Sequence, residues 1–284
     1  MKLAKSLLIA SPNPSEGGEL SRLRSLDNKI RNRVLTKKEN NTTTIPVFPP
    51  SGERGLKVCG MKFTENIQQV ANLQPDYLGF IFYEKSKRNF EGIIPELPKS
   101  IKKTGVFVNE YIEIVISLVE EYRLDALQLH GDESVDYIIN LKNQLAENRA
   151  LFLEENKSIK KKKNQHYISK NDIEIIKVFG IKDHFNFDVL KPYLDVVDFF
   201  LFDTKGKERG GNGTKFDWSV LEKYPFDKPF FLSGGIGLED VEELQKILKS
   251  NLPIYALDVN SKFESKPGVK KIQELKKFKK EIFV

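Results

Sequence analysis

Cys59, His130, Asp203 and Asp258 each close a short apolar run, and each brings a group able to take or give a proton. The runs are LKV, LQL, FFLF and IYAL. The chain's only thiol either fills a hole in the core or, ionised, serves as a base. A carboxylic acid kept neutral by burial can act as the matching proton donor. Arg88 ends YEKSKR, and a guanidinium grips a carboxylate at two points. FLSGGIGLEDVEEL places Gly234 and Gly235 between an apolar run and a helix start, where backbone N–H groups can approach an anion closely. Asn260 and Ser261 follow the last run in DVNSKFE. Three histidines scattered through the chain lack the spacing of a zinc site, and no serine sits in a nucleophile elbow. The set suits acid–base chemistry on a small phosphorylated substrate, with no metal expected.

These groups need a frame that brings chain ends together. Apolar runs rich in β-branched and aromatic residues predict strands at 56–59, 77–82, 104–108, 125–129, 174–178, 197–202, 229–232 and 254–258. Helical patterns lie between most of them, as at Tyr111–Tyr122, Ser134–Ala146 and Leu238–Lys249. Continuous apolar strands alternating with helices imply a parallel sheet covered on its outside. Eight such units over residues 56–284 fit an α/β fold of one (β/α)8 TIM barrel, whose active site lies at the C-terminal ends of the strands. An open doubly wound sheet is the competing architecture, but no GxGxxG follows the first strand.

The first 55 residues read differently. SPNPSEGGE, ENNTTT and FPPSGERG have linker composition, so residues 1–55 are expected to be a disordered or loosely attached extension. The lysine-rich stretch at about 155–172 reads as a solvated insertion. Net charge is +6, but residues 1–55 hold ten basic and five acidic side chains, leaving 36 and 35 for the rest. The basic balance belongs to the extension, and nothing resembling a nucleic-acid-reading motif accompanies it. No run approaches the length of a membrane span, and the apolar patch near Met1 is too short for a secretory signal. A lone cysteine forms no internal disulfide, which fits a reducing cytoplasm. A small-molecule ligand, no nucleic acid, no membrane, and a monomer or homodimer are expected.

The ordered stretches KVCGM, YLGFIFYEKSKR, GVFVNE, LQLHGDES, IIKVFGI, LFDTKGKERGGNGTKFDW, PFFLSGGI and ALDVNSKFESKPGVKK together resemble the phosphoribosylanthranilate isomerase family of (β/α)8 enzymes. The resemblance covers residues 56–284. It implies the Amadori rearrangement of N-(5-phosphoribosyl)anthranilate to 1-(o-carboxyphenylamino)-1-deoxyribulose 5-phosphate in tryptophan biosynthesis, without cofactor. It implies Cys59 as general base, Asp203 as general acid and Arg88 as the holder of the anthranilate carboxylate. Gly234, Gly235, Asn260 and Ser261 would bind the phosphate, with Asp258 beside the acid. Cys59 is expected to have its pKa lowered by a helix N-terminus or a cation, and Asp203 to have its raised by burial among other acids. His130 is expected to be structural or supporting, Asp125 and Asp132 to be turn and cap residues, and Trp218 to pack.

Three positions depart from the family's usual wording. Lys262 stands where glycine is common, Lys271 where aspartate is common, and Thr214 and Lys215 are in swapped order. Indole-glycerol-phosphate synthase would show lysine at the position of Cys59, and the histidine-pathway isomerase aspartate. A non-catalytic barrel whose basic arm binds nucleic acid is the remaining alternative.

Overall fold

The structure is a computed structural model that describes residues 54–158, 173–182, 184–204 and 215–283. The expected disorder of residues 1–55 lies almost wholly outside these residues, as does the lysine-rich insertion beyond Ser158.

Eight parallel strands close into a barrel in sequence order: β1 (Gly55–Val58), β2 (Tyr77–Ile81), β3 (Lys102–Phe107), β4 (Ala126–Leu129), β5 (Glu174–Ile181), β6 (Phe199–Thr204), β7 (Phe230–Leu232) and β8 (Ile254–Val259). β8 returns to β1 with Lys57 opposite Asp258. All eight expected strands are present, with ends shifted by up to three residues. β6 runs two residues further than the apolar pattern suggested, so Asp203 sits inside the strand.

Among the described residues, α-helices follow five of the strands: α1 (Thr64–Ala71), α2 (Ile112–Tyr122), α3 (Val135–Ser158), α4 (Val241–Leu248) and α5 (Ile272–Ile282). Short 3-10 segments, Phe187–Tyr193 and Trp218–Lys223, stand after β5 and β6. Pro192 inside the first of these lacks the N–H that a longer helix would need. The segment after β2 carries Gly92, Pro95 and Pro98 and stays irregular, touching the sheet through one parallel bridge between Ile81 and Asn89. The first four residues of the expected insertion, 155–158, continue α3.

Alternation along each strand sorts the core into two sets. Leu78, Phe80, Phe200 and Phe202 point outward into the layer shared with the helices. Tyr77, Phe199, Leu201, Phe231 and Tyr255 pack with one another as a separate cluster that fills the barrel. Trp218 is fully buried, as a packing residue should be.

The N-terminal rim is held by a repeated device. Asp76, Asp125 and Asp198 each precede an even strand, and each carboxylate accepts the backbone N–H at the start of the odd strand before it. The donors are Leu56 at 2.8 Å, Lys103 at 2.9 Å and Ile175 at 2.8 Å. The same aspartates donate their own N–H to the carbonyls of Leu56, Lys103 and Ile175. Asp125 is therefore a strand-to-strand latch rather than a helix cap. Removing one carboxylate leaves a part-buried N–H unpaired. Asp198→Ala should lower the unfolding free energy by about 1–3 kcal/mol, read as a shift in the urea midpoint at unchanged slope.

Candidate active site

At the opposite rim one cavity is lined by Cys59, Arg88, His130, Asp203, Gly234, Gly235, Asp258, Asn260 and Ser261. The fold thus gathers at one cavity every residue expected to act on or bind the substrate. They come from six strand ends and the loops after them: those of β1, β2, β4, β6, β7 and β8.

Cys59 follows β1 directly, its N–H donating to the carbonyl of Val259 at 2.9 Å. Two glycines make room for it. A side chain on Gly79 would approach within 2.8 Å of the sulfur. Gly60 has φ +74, and a side chain there would come within 2.7 Å of both Arg88 and Asn260. The KVCG turn therefore lets the thiol, the guanidinium and the Asn260 loop meet.

Lys57 stands two residues before Cys59, on the same face of the strand. It is wholly buried, and its Nζ donates to Asp258 Oδ1 at 3.0 Å. Burial alone would lower the ammonium's pKa, but Asp258 and then Cys59 hold it above the usual lysine value. The cysteine departs from expectation. Burial pushes its thiol up, the Asp258 charge adds to that, and the Lys57 and Lys270 cations do not reverse it. No helix N-terminus contributes, and the adjacent cation is already paired with Asp258.

Asp203 meets its expectation. Burial first, and the Asp258 charge second, raise its carboxyl to about 7, against the Thr204 N–H at 2.8 Å and the Lys57 cation. His130 Nε2 lies 3.5 Å from Asp203 Oδ2. This imidazole, expected to be structural, faces the cavity beside the acid. Gln128 also lines the cavity, and its buried Oε1 accepts no hydrogen bond.

Arg88 is held by a residue whose role the sequence did not disclose. Glu264 accepts from Nε at 2.9 and 3.0 Å and from the terminal nitrogen at 2.7 Å. The same carboxylate accepts from the Gly268 N–H at 3.0 Å and from Lys270 Nζ at 2.7 Å. Glu264 and Lys270 lie on a two-stranded hairpin, β9 (Glu264–Lys266) and β10 (Val269–Lys270). Burial lowers the Lys270 ammonium to about 8, with Glu264 opposing. Lys270 also donates to Asn260 Oδ1 at 2.7 Å, which fixes the side chain at the cavity edge with its amide nitrogen as the remaining donor. Only the strand period could have flagged Lys57. Glu264 and Lys270 gave no signal, because a charged residue in a loop motif is usually solvated.

The glycine turn after β7 lies at the cavity. Gly234 and Gly235 adopt φ +96 and +67, open to glycine without strain. A side chain on Gly234 would come within 2.7 Å of the Thr204 nitrogen. Ser261 opens the 3-10 turn Ser261–Phe263 after β8. Lys262 lies in that turn and not in the left-handed region, so replacing glycine costs no backbone strain. Lys271 is the N-cap of α5 and supplies no side-chain cap, which an aspartate there could.

Comparison with known proteins agrees with this geometry. The family model described as N-(5'phosphoribosyl)anthranilate (PRA) isomerase matches residues 56–170 and 160–281. The N-(5'-phosphoribosyl)anthranilate isomerase of Parabacteroides distasonis is 38% identical over 234 residues, covering 80% of this chain and 92% of that one. A phosphoribosyl anthranilate isomerase solved in complex with reduced 1-(o-carboxyphenylamino)-1-deoxyribulose 5-phosphate is 27% identical, with a TM-score of 0.58 over 81% of this chain and 98% of that one. A structure of monomers generated from the dimeric Thermotoga maritima enzyme is 26% identical, with a TM-score of 0.55 and coverage of 81% and 98%.

The Asp203 carboxyl has a consequence for stability. Its folded pKa of about 7 exceeds the unfolded value of about 3.9, so the native state holds a proton that the unfolded chain has lost. Stability then falls as pH climbs from about 4 to about 7 and is flat with respect to this group beyond. Asp203→Asn should remove that component of the slope, seen as a smaller loss of Tm over this window than in the wild type.

Proposed function

The chain belongs to the N-(5′-phosphoribosyl)anthranilate isomerase family, and on that premise we propose that Cys59 and Asp203 are its base and acid. The enzyme catalyses the aldose–ketose isomerisation of phosphoribosylanthranilate in tryptophan biosynthesis. The observation that carries the assignment of roles is the pairing of a carboxyl kept protonated near neutrality on β6 with a thiol at the end of β1, at one cavity.

The chemistry follows in order. Asp203 gives its proton to the ring oxygen of the furanosylamine, and the C1–O bond breaks as the anthranilate nitrogen forms a protonated Schiff base. Cys59, as thiolate, removes the proton from C2, whose acidity the iminium raises. Electrons move into a C1–C2 enolamine, which tautomerises to the 2-ketone. Arg88 holds the anthranilate carboxylate, with Glu264 fixing the guanidinium plane. The N–H groups at Gly234, Gly235 and Ser261 receive the phosphate. Asp258 keeps Lys57 in place and its charge keeps Asp203 protonated.

The raised thiol pKa does not oppose this reading. The iminium brings a positive charge to the cavity and favours the thiolate beside it. With the acid at about 7 and the base above it, the productive form is the one with the base ionised and the acid still protonated. Its population rises with pH up to about 7 and then holds level until the thiol itself ionises.

The partner this supports is a phosphorylated small molecule, in a protein acting as monomer or homodimer without nucleic acid. Among the described residues no helix is long and apolar enough to cross a membrane. A reducing cytoplasm suits the free thiol of Cys59.

With phosphoribosylanthranilate generated in situ, the wild type should remove its fluorescence rapidly. Cys59→Ser and Asp203→Asn should each slow this by about a hundredfold or more, the range for loss of a general acid or base. Unchanged decay in either variant removes that residue from its role. The acidic limb of kcat/KM should break near pH 7, and Asp258→Asn, which removes the charge raising Asp203, should move that break lower. Glu264→Gln should raise KM by about tenfold through a loosened Arg88, as loss of a charge-assisted pair does.

A further inference from the structure

Lys262 lines the cavity beside Gly234, Gly235, Ile236 and Ser261, on the loop that follows β8. Its ammonium donates to Glu239 Oε1 at 2.7 Å. Glu239 belongs to the turn after β7, within the 3-10 segment Leu238–Asp240, and its carboxylate folds back against the Gly237 backbone. One ion pair therefore spans the two loops that form the phosphate cradle. Both partners are partly exposed, at 37% and 58%.

We propose that Lys262 is a phosphate ligand held in reserve by Glu239: on substrate binding its ammonium leaves the carboxylate for the phosphate. This rests on the phosphate site assigned above, and adds a residue to it. Four observations support the exchange. Lys262 already lines the cavity beside Gly234 and Gly235, and a lysine stem rotates freely through four carbons. Its present partner is an exposed surface carboxylate, and such pairs contribute little, about 0–1 kcal/mol. A phosphate dianion offers more charge and three acceptor oxygens, so it outcompetes a single carboxylate. The backbone at Lys262 is unstrained, so the side chain is carried at no cost to the turn.

Glu239 then works against substrate. It holds the cation in the empty enzyme and must release it, so removing its charge should tighten phosphate binding. A lysine that merely tied the two loops together would behave differently: loss of either partner would loosen the cradle.

The test is a pair of variants with one probe that needs no turnover. Binding of inorganic phosphate to the full chain is followed by calorimetry, and KM for phosphoribosylanthranilate is measured alongside. Lys262→Met should weaken phosphate binding about tenfold and raise KM similarly, the loss appearing in KM rather than kcat. Lys262→Arg should recover most of it. Glu239→Gln should tighten phosphate binding severalfold, with the gain lost in the double variant. Weakening in both single variants, or no change with Lys262→Met, overturns the proposal. Both side chains are exposed, so a circular dichroism spectrum suffices to confirm folding. Lysine-dependent phosphate binding without any wild-type turnover would leave this inference standing and sink the isomerase reading. Normal turnover with no lysine effect would do the reverse.

Discussion

A fully buried ammonium sets the terms for the catalytic end of this barrel. Lys57 lies inside it, and an isolated charge there would cost many kcal/mol. Asp258, directly opposite across the β1–β8 junction, is the group that makes it tolerable. The register of barrel closure and the charge state of the site are therefore one constraint. A slip of β8 by one residue would turn Asp258 outward and strand the lysine. Once the pair is in place its charges act on both reactive groups. Asp258 keeps Asp203 protonated, while Lys57 offsets part of the burial that discourages the thiolate of Cys59.

A second buried ion cluster repeats the solution on the substrate side. Glu264 stands between Arg88 and Lys270, accepting from both, and Lys270 passes the connection on to Asn260. One carboxylate for two cations leaves the cluster net positive, which suits a site receiving a carboxylate and a phosphate. The hairpin β9–β10 exists to deliver this arrangement. Gly268, at φ +85, makes the tight turn that returns Lys270 to the core.

What the sequence disclosed divides along physical lines. The eight strands were legible because a strand buried on both faces is mostly apolar, and FFLF, PFFL and IYAL carry that signal locally. Cys59, Asp203 and Arg88 were legible because they end or follow those runs. The missing helices after β2, β5 and β6 were not, since proline and glycine there end a helical pattern without stating what replaces it. The upward shift of the Cys59 thiol was not legible either. A nearby cation can be read from sequence, but its prior commitment to Asp258 depends on a partner 201 residues away. Glu264 shows the same limit: its value lies in geometry with Arg88, 176 residues distant.

The aspartate latches at the other rim join β1 to β2, β3 to β4 and β5 to β6, but among the described residues no carboxylate joins β7 to β8 in this way. Leu252 and Pro253 precede β8, and the register shifts between Phe230 and Phe231. The two strands meet there through the backbone, the Phe230 N–H donating to the Pro253 carbonyl at 3.0 Å, beneath the loops proposed to receive the phosphate. The lower end of this joint is fastened by peptide groups alone, so a side chain could change there without undoing the joint, which the latching aspartates do not permit.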